Sequence, residues 1–522
     1  MKRNKQTMRG IGALALLLAM LLVLSACAVA PQAAEAPAAD EPPAAAEASA
    51  AETPAAQSEE SWDASYDVIV VGYGASGAVS AIEAADNGAK VLLCDKAPEG
   101  QEGGCSRFCE QLITCTDDAG SFYDYLVALR ADFSYPTDSV LRLYADGAAK
   151  NVEYLKYLGA TDDMIEYGSR GADLSGLPGA ECVSVNKVVP SYYLLLQDNV
   201  EQRAENIEVW LESPGKKLIQ DGETKKITGV EIEKDGKLLR VEAKNGVILA
   251  CGGFEANSEM VENYLWATDT YARASQYNTG DGIKMAQAVG ADLVNMGVVS
   301  GYNWDFVSPE SGRTASINSA IRNNIIYVDG TGSRFLNERG SARRGNTLQS
   351  GYWRPPVTPS KIYCIFDETT RLAGNVFAGF SADNSAEIEK GWIVKGDTLE
   401  ELGEKIGVGG EALAATVTQY NEMAKTGDDY IFGRAADRMV AIENGPYYAV
   451  ECKAGITNTQ GGPRRNEQSQ VIDVFGEVIP HLYVVGDMGA PFIGNDWNCG
   501  GNLCESIVYG RIAGKNAAEG LE

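Results

Sequence analysis

The chain has 522 residues, and 45% of them are hydrophobic, which is enough for a substantial core in more than one domain. Its 72 acidic and 44 basic residues give a formal net charge of −28 at pH 7. So acidic a surface repels phosphate backbones, which excludes nucleic acid as a partner.

Residues 1–27 are typical of a secretory signal. Four basic residues precede an apolar run from Ile11 to Leu24, which is too short to span a membrane. The sequence Leu24-Ser25-Ala26-Cys27 resembles a bacterial lipoprotein box, in which the Cys27 thiol carries the lipid. An ordinary signal peptide with an incidental cysteine is the alternative. Residues 28–63 are almost entirely Ala, Pro, Glu and Ser, which predicts a disordered linker. We expect a lipid-anchored protein on the extracytoplasmic face of the cell membrane.

Residues 66–95 have the pattern of a nucleotide-binding unit. An apolar strand leads into a glycine-rich turn, and a helix and a second strand that ends on an acid follow. Gly72 permits a tight turn, Gly74 lets the backbone approach a pyrophosphate, and Gly77 lets the helix pack closely on the strand. The helix N-terminus offers free N–H groups to phosphates. Asp95 can accept hydrogen bonds from a ribose diol. Together these features predict a dinucleotide site in an α/β domain.

Four later segments also place glycines, acids or helix N-termini at the ends of apolar strands or the starts of helices. An apolar strand ends in Cys251-Gly252-Gly253, a helix begins near Asp281, and another apolar strand ends in Gly486-Asp487. The last helix begins near Gly501 and can direct its N–H groups at an electron-rich ring. Because the carboxyl ends of parallel strands meet at one edge of a sheet, we expect these segments to line one extended cofactor.

The eleven cysteines show no clear disulfide framework, and most resemble small core residues. One cluster, Cys105, Cys109 and Cys115, is closer in sequence. An iron–sulfur cluster would need a fourth thiolate, for which Cys94 is the nearest candidate. The spacing matches no standard pattern, so we assign no metal site and leave this alternative open.

Together the motifs resemble the fumarate reductase and 3-ketosteroid dehydrogenase flavoprotein family over about residues 65–520. The similar segments are Tyr66–Asp95, Gly103–Ser106, Ala250–Phe254, Thr279–Gly282 and Gly330–Glu338. This resemblance implies non-covalent FAD and a Rossmann-like FAD-binding domain in two parts, residues 64–298 and 440–522. It also implies an inserted α+β capping domain, residues 299–439. The predicted FAD contacts are Gly72, Gly74, Ala75, Ser76, Gly77, Asp95, Lys96, Gly103, Gly104, Cys105, Ser106, Cys251, Gly252, Gly253, Asp281, Gly486, Asp487, Gly501, Asn502, Leu503 and Ile507.

The chain departs from this family at the substrate positions. The arginine that donates the proton in the dicarboxylate reductases falls on Ala342, with Arg343 and Arg344 beside it. The carboxylate-binding histidine falls on Asn458, and a second carboxylate clamp falls on Asn498. Binding a dicarboxylate requires cationic side chains, preferably guanidinium groups, which can donate two parallel hydrogen bonds to one carboxylate. We therefore expect an uncharged substrate.

Candidate catalytic residues are Arg343, Arg344 and Tyr302, one of which is expected to supply the proton. Trp304 and Trp497, together with Asn458 and Asn498, are predicted to contact the substrate. Aromatic side chains of this kind can stack on a flat ring system, and hydrogen-bonding groups can hold one carbonyl. Core packing is an equally good interpretation of any one aromatic.

These observations predict an extracytoplasmic FAD-dependent ene-reductase. It would transfer a hydride from flavin N5 to the C=C bond of an uncharged conjugated carbonyl compound, steroid-like or aromatic. The alternatives are a 3-ketosteroid-type dehydrogenase that desaturates the same bond, a fumarate-type dicarboxylate reductase, and a non-catalytic electron-transfer or ligand-binding lipoprotein. The sequence contains no second G-x-G-x-x-G unit for a nicotinamide and no C-x-x-C-H motif for haem. We therefore expect an external electron donor on the membrane side.

Overall fold

The computed structural model describes residues 61–171, 173–174, 176–186, 189–339, 347–349, 351–355, 357–489 and 500–522. The predicted signal segment, Cys27 and most of the predicted linker lie outside these residues. So do four of the predicted site residues, namely Arg343, Arg344, Trp497 and Asn498.

The described residues form two main sheets with helices around them. The strands are β1 Ala64–Val71, β2 Val91–Cys94, β3 Ile113–Cys115, β4 Ile165–Arg170, β5 Glu181–Val185, β6 Ile207–Trp210, β7 Gly215–Gln220, β8 Ile227–Lys234, β9 Lys237–Leu249, β10 Thr270–Ala272, β11 Leu293–Val294, β12 Tyr302–Val307, β13 Thr314–Ala315, β14 Ile326–Asp329, β15 Thr347–Gln349, β16 Tyr352–Arg354, β17 Ile362–Asp367, β18 Ile393–Gly396, β19 Tyr447–Ile456, β20 Gly462–Pro463, β21 Gln470–Ile472 and β22 Val478–Val484. The helices are α1 Ala75–Asp86, α2 Ala119–Arg130, α3 Asp138–Ala148, α4 Asn151–Tyr157, α5 Ser191–Glu201, α6 Ser258–Leu265, α7 Asp281–Ala288, α8 Glu368–Leu372, α9 Ser385–Glu389, α10 Leu399–Ile406, α11 Gly410–Thr426 and α12 Gly501–Glu519.

The first sheet has eight strands, in the order β21-β22-β9-β1-β2-β6, with β8 on β9 and β7 on β8. Strand β1 pairs in parallel with β2 and β9, and β22 pairs in parallel with β9. Residues 68–71 and 91–93 are almost fully buried. This burial is expected for central parallel strands that are covered on both faces. Helices α1 and α12 pack against one face, because Val79 and Tyr509 share a core with Val68 and Val70.

The second sheet has seven strands, in the order β13-β12-β19-β17-β14, with β10 and β18 also paired to β19. All pairings in it are antiparallel except that of β10 with β19. Helices α10 and α11 cover one face through a small apolar core that includes Leu402, Leu413 and Val417. This sheet and its helices form the α+β part of the molecule, which confirms the predicted fold class, an α/β Rossmann-like domain with an inserted α+β domain.

The second sheet extends beyond the predicted capping range of residues 299–439 at both ends. Strand β10 precedes that range, and β19 follows it. Composition could not reveal this, because β19 joins the sheet through long-range pairing with β12 and β17. Strand β19 then continues directly to Thr457 and Asn458. No helix in the described ranges combines the length and the apolar composition that a membrane span requires.

Candidate active site

A cavity of about 630 Å³ lies where the carboxyl ends of the parallel strands β1, β2, β9 and β22 meet. This edge is the usual ligand position of an open α/β sheet. The predicted cofactor residues that line it are Gly72, Gly74, Ala75, Ser76, Asp95, Lys96, Gly103, Gly104, Cys105, Ser106, Cys251, Gly252, Asp281, Gly486, Asp487, Gly501, Asn502 and Leu503.

Three predicted cofactor residues do not line the cavity, and each has a packing role instead. A Cβ at Gly77 would lie 1.8 Å from the Gly72 carbonyl oxygen, so glycine lets α1 approach the turn. A Cβ at Gly253 would lie 2.1 Å from Thr459 Oγ1. Ile507 is fully buried in the apolar core beneath α12. The sequence motifs indicated that these residues lie near the cofactor. They could not show whether a residue lines the cofactor cavity or packs against other parts of the protein.

The turn after β1 is built for a phosphate group. Gly72 has a φ of +109°, and a Cβ there would lie 2.3 Å from the Ala250 carbonyl oxygen, so only glycine fits. Helix α1 then begins after Gly74 with no side-chain cap. The Ala75 N–H donates to Ser106 Oγ at 3.1 Å. The uncapped end of α1 therefore lines the cavity with its positive dipole end, which suits an anionic pyrophosphate.

Asp95 sits at the end of β2 and is held by the backbone. Its two carboxylate oxygens accept the Tyr73 N–H at 2.6 Å and the Ala97 N–H at 2.7 Å. Burial raises the pKa of Asp95, while these two N–H groups lower it. Each oxygen keeps a further lone pair for a ribose hydroxyl. Beside it, Lys96 pairs with Asp281 at 2.6 Å and so ties β2 to the start of α7.

The residues from β22 and α12 form another part of the cavity lining. Helix α12 begins after Gly500, which has a φ of +74°, and no side chain caps it. Asn502 donates through its amide to the Asp487 carboxylate. Burial and the nearby charge of Glu255 raise the pKa of Asp487 to about 8. A second uncapped helix N-terminus thus lines the cavity, where it can stabilise the electron-rich end of a flavin ring.

A buried carboxylic acid behind the cavity was missed by the sequence analysis. Glu255 accepts the Asn278 Nδ2–H at 2.6 Å, and its two oxygens also lie 3.2 Å from Cys105 Sγ and from Thr459 Oγ1. None of these partners is a cation, and burial raises the pKa of Glu255. Its place directly after Gly252-Gly253-Phe254 was the available signal.

The cysteine cluster has no metal-binding arrangement in the described part of the chain. No group of three or more His, Cys, Asp and Glu side chains there could hold a metal ion. The Cys105 thiol donates to Glu255, and Cys109 Sγ donates to the Ser106 carbonyl oxygen at 3.5 Å. Cys94 lies within the buried strand β2.

The cavity also reaches the second sheet, where Asn458 lies. This side chain is buried, accepts the Ser300 hydroxyl and donates to Asp487. Asn303 and Thr457 line the same region. Asn458 therefore places a neutral hydrogen-bonding side chain at the position on which, by the sequence resemblance, a carboxylate-binding histidine falls.

Tyr302 and Trp304 do not line this cavity, contrary to the expectation from sequence. Successive side chains of a strand point to opposite faces, and Asn303 is the β12 residue that lines the cavity. Tyr302 is fully buried in the apolar core, and its hydroxyl has no partner among the described residues. Trp304 donates to Thr358 Oγ1 at 3.1 Å and lines a second cavity of about 200 Å³. Sequence alone could not tell which face of β12 turns inwards.

Two arginines on the cavity lining were not anticipated. Arg273 pairs with Asp305 at 2.8 Å. Arg322, just after the short 3₁₀ turn Ser319–Ile321, has no ion pair with any described residue. Neither lies in a motif, so only the fold brings them to the cavity.

Comparisons with known proteins agree with this geometry. The model of the FAD binding domain family matches residues 67–503. An NADH:fumarate oxidoreductase of Klebsiella pneumoniae (strain 342) is 27% identical over 472 residues, 87% of this chain but 48% of the relative. The chain thus spans about half the length of that protein. A vinyl phenol reductase of Lactiplantibacillus plantarum is 27% identical over 503 residues, covering 87% of this chain and 97% of the relative.

A solved structure shows the same fold. The 3-ketosteroid delta1-dehydrogenase from Sterolibacterium denitrificans superposes with a TM-score of 0.70 at 23% identity, covering 87% of this chain and 99% of its own. The glycine turn, the two uncapped helix ends and Asp95 fit a flavin dinucleotide, and the resemblance seen in the sequence is confirmed. With the match over residues 67–503, the chain belongs to the FAD binding domain family.

Proposed function

We propose that the protein is an ene-reductase that reduces a C=C bond conjugated to a carbonyl group. The observation that carries this proposal is a single cavity with two kinds of lining. Its lining includes the residues of the dinucleotide motif and a set of hydrogen-bonding side chains, namely Ser300, Asn303 and Asn458 together with Arg273 and Arg322. A fumarate oxidoreductase and a vinyl phenol reductase among the relatives support the reductive direction.

In this proposal the cofactor and the side chains have separate roles. Bound FAD supplies the hydride that adds to the alkene. The amide of Asn458 has a second N–H besides the one that it donates to Asp487. In this proposal that N–H, together with the neighbouring side chain of Asn303, orients the acceptor and stabilises the negative charge that builds on its carbonyl oxygen. Because Tyr302 is turned away from the cavity, Arg343 and Arg344 are the proton-donor candidates that remain from the sequence analysis, and they stay predictions.

A dicarboxylate is a poor acceptor in this proposal. Asn458 is neutral and already bonded to Ser300 and Asp487, so it cannot grip a carboxylate as a cation does. Asn498, the other neutral position, stays a prediction. We therefore propose a conjugated carbonyl compound with no more than one carboxylate.

The cofactor, its electron source and the location of the protein complete the proposal. We propose that FAD is held without a covalent bond, since His481, the chain's only histidine, lies within β22 and does not line the cavity. Lipid attachment at Cys27 would hold the protein on the extracytoplasmic face of the membrane. An external donor on the membrane side would supply the electrons.

The test is anaerobic reoxidation of the dithionite-reduced holoprotein. Enones, cinnamates and fumarate are added separately, and flavin absorbance is followed in single turnovers. We expect reoxidation by at least one conjugated carbonyl compound and almost none by fumarate. Failure of every enone and enoate would reject the ene-reductase, and rapid reoxidation by fumarate would reject the exclusion of dicarboxylates.

A further inference from the structure

A buried ion pair joins α12 to the segment that follows β20. Arg465 Nη1 donates to Glu505 Oε1 at 2.6 Å, and the two side chains are 1% and 0% exposed. Neither is among the described residues that line the cofactor cavity, and the proposed reaction gives neither a role. A guanidinium group stays protonated in proteins, so Arg465 brings a full positive charge into the interior. Glu505 is the acid that balances this charge.

The ion pair contacts the short 3₁₀ turn Asp487–Gly489, whose first residue lines the cavity. A Cβ at Gly489 would lie 2.9 Å from Arg465 Nη1 and 3.5 Å from Glu505 Oε1, so the turn packs directly on the pair. Burial raises the pKa of Glu505, whereas Arg465 and the Gly486 N–H lower it. The pair therefore supports the backbone of the cavity lining from behind.

The charge of Glu505 reaches the cavity lining. Burial raises the pKa of Asp487 to about 8, and both Glu255 and Glu505 contribute to this rise through their negative charges. Arg465 engages only one oxygen of Glu505, because Oε2 is buried and has no hydrogen-bond partner among the described residues. Charges interact strongly in a buried, poorly polarisable environment. A group bound in the cavity would therefore also experience any imbalance of this pair.

Arg465 offsets the charge of Glu505 close to the start of α12. Burial opposes the charge of Arg465, but the carboxylate of Glu505 outweighs this effect and the pKa of Arg465 is raised. The guanidinium also lies 3.6 Å from the centre of the Tyr509 ring, which can stabilise a cation. Helix α12 directs its uncapped N-terminus at the cavity. With Glu505 balanced, the positive dipole of that N-terminus is not cancelled.

We propose that Arg465 and Glu505 are positioning residues that set the reduction potential of the bound FAD. Reduction increases the electron density of the flavin, so a positive potential around it favours the reduced form and an unbalanced carboxylate disfavours it. Arg465 balances Glu505 and leaves the N-terminus of α12 to act on the flavin. The inference rests on bound FAD and goes beyond the proposed ene-reductase, since it concerns electron exchange with any partner.

Variants that remove one charge give opposite expectations. The midpoint potential of the holoprotein is measured anaerobically against an indicator dye, without an acceptor. Arg465→Met leaves the acid unbalanced and should shift the equilibrium towards oxidised flavin by about tenfold or more, which is about 30 mV for a two-electron couple. Glu505→Gln leaves the cation unbalanced and should shift it by a similar factor towards reduced flavin.

The pH of the measurement matters for one of these variants. An unpaired buried carboxylic acid can take up a proton, which would hide the effect of Arg465→Met, so the potentials are measured at pH 7 and at pH 9. No rise of the potential in Glu505→Gln would reject the proposal. So would the absence of a fall in Arg465→Met at both pH values.

Restoring the charge balance should restore the potential. Arg465→Lys keeps the cation, and the double variant Arg465→Met/Glu505→Gln removes both charges, so each should stay within about threefold of the wild-type equilibrium. A purely structural role predicts instead that the two single variants shift the potential in the same direction, which would overturn the proposal. If Arg465→Met does not fold, the double variant decides, because it must reverse the rise seen in Glu505→Gln.

A second ion pair provides the matched control. Arg203 pairs with Asp86 at 2.8 Å, at the C-terminal end of α1, and neither residue is among those described on the cavity lining. Arg203→Met should leave the potential unchanged. A shift as large as that of Arg465→Met would show that loss of any ion pair alters the flavin, and would overturn the proposal.

Reoxidation by enones and enoates is followed on the same proteins. Opposite shifts of the potential without reoxidation by any acceptor would keep this inference and reject the ene-reductase. Unshifted potentials with rapid reoxidation would do the reverse.

Discussion

At the scale of single residues, three acids at or near the cavity have different hydrogen-bond partners. Asp95 is held by two backbone N–H groups, whereas Asp487 and Glu255 are buried near each other with amide, hydroxyl and thiol partners. Burial raises the pKa of all three acids, but two backbone N–H groups oppose this effect at Asp95, which makes that carboxylate the better acceptor for a ribose.

Asp95→Ala should weaken FAD binding by roughly 1.5–3 kcal/mol, because charge-assisted hydrogen bonds to the ribose are lost. The substitution also removes the acceptor of the Tyr73 and Ala97 N–H groups. Fluorescence titration of flavin-depleted protein with FAD measures the change. Asp162→Ala, at an exposed acid that pairs with Lys156, is the control. Unchanged affinity in Asp95→Ala would remove this residue from the cofactor site.

Asp487 should make the stability of flavin-depleted protein depend on pH. Its folded-state pKa of about 8 lies above the ordinary value of 3.8. Between these values the unfolded chain ionises first, so stability falls as the pH rises, by at most about 1.4 kcal/mol per pH unit. Asp487→Asn removes this titration and should flatten the profile from pH 5 to 8. Urea unfolding at several pH values measures it, and parallel profiles of the two proteins would contradict the prediction.

The residues that could be predicted from sequence are those whose neighbours are local. Gly72, Gly74 and Asp95 belong to one continuous strand–turn–helix–strand unit, so their spacing carries the information. Arg322, Arg339 and Arg438 come from three separated segments of the chain, and the fold brings them to the lining of the second cavity. No spacing rule in a single sequence can bring them together.

At the scale of elements, the faces of strands and helices decide which side chains reach the site. Strand β12 turns Asn303 towards the cavity and Tyr302 away from it. Its sequence, Tyr-Asn-Trp-Asp-Phe-Val, places three aromatic residues on one face and Asn303, Asp305 and Val307 on the other. Alternation therefore predicts the two faces but does not say which of them lines the cavity.

Tyr302→Phe should therefore keep the wild-type rate of single-turnover flavin reoxidation, because the hydroxyl has no described partner and does not line the cavity. Asn303→Ala should lower that rate by about tenfold or more, since an orienting hydrogen-bond donor is lost. Stopped-flow absorbance with a competent acceptor measures both, with FAD content as the control. A slow Tyr302→Phe variant would return the tyrosine to the site.

The crossing of α1 and α12 depends on glycine. A Cβ at Gly514 would lie 2.5 Å from the Ser80 carbonyl oxygen. Gly514→Ala should destabilise the fold by about 1–3 kcal/mol through this backbone clash, although alanine is the better helix former. Urea unfolding measures the loss, and Lys515→Ala, at an exposed position of the same helix, is the control. A stabilised Gly514→Ala variant would show that the helices can separate at no cost.

At the scale of the whole molecule, a strongly acidic chain has three arginines, Arg322, Arg339 and Arg438, on the described lining of its second cavity. The net charge of −28 repels anions at long range, and added salt screens that repulsion. Association with an anionic ligand would therefore speed up with added salt.

The Cys27 anchor is also a property of the whole molecule. Cys27→Ala should move the protein from the membrane fraction to the soluble exported fraction, or leave it unprocessed, because the thiol that accepts the lipid is gone. Fractionation followed by immunoblotting measures the distribution. Cys105→Ala, which keeps the proposed lipidation site, is the control. A wild-type protein found only in the soluble fraction would contradict the anchor.

Strand β19 is the central strand of the second sheet, where it pairs with β10, β12, β17 and β18, and it leads directly into Thr457 and Asn458. The central strand of the second sheet and part of the cavity lining are thus one continuous segment of backbone. A rigid-body rotation of that sheet would therefore also displace Thr457 and Asn458. Opening the cavity to a substrate and positioning these two residues against it would then be coupled, so a partly open state could not be catalytically active.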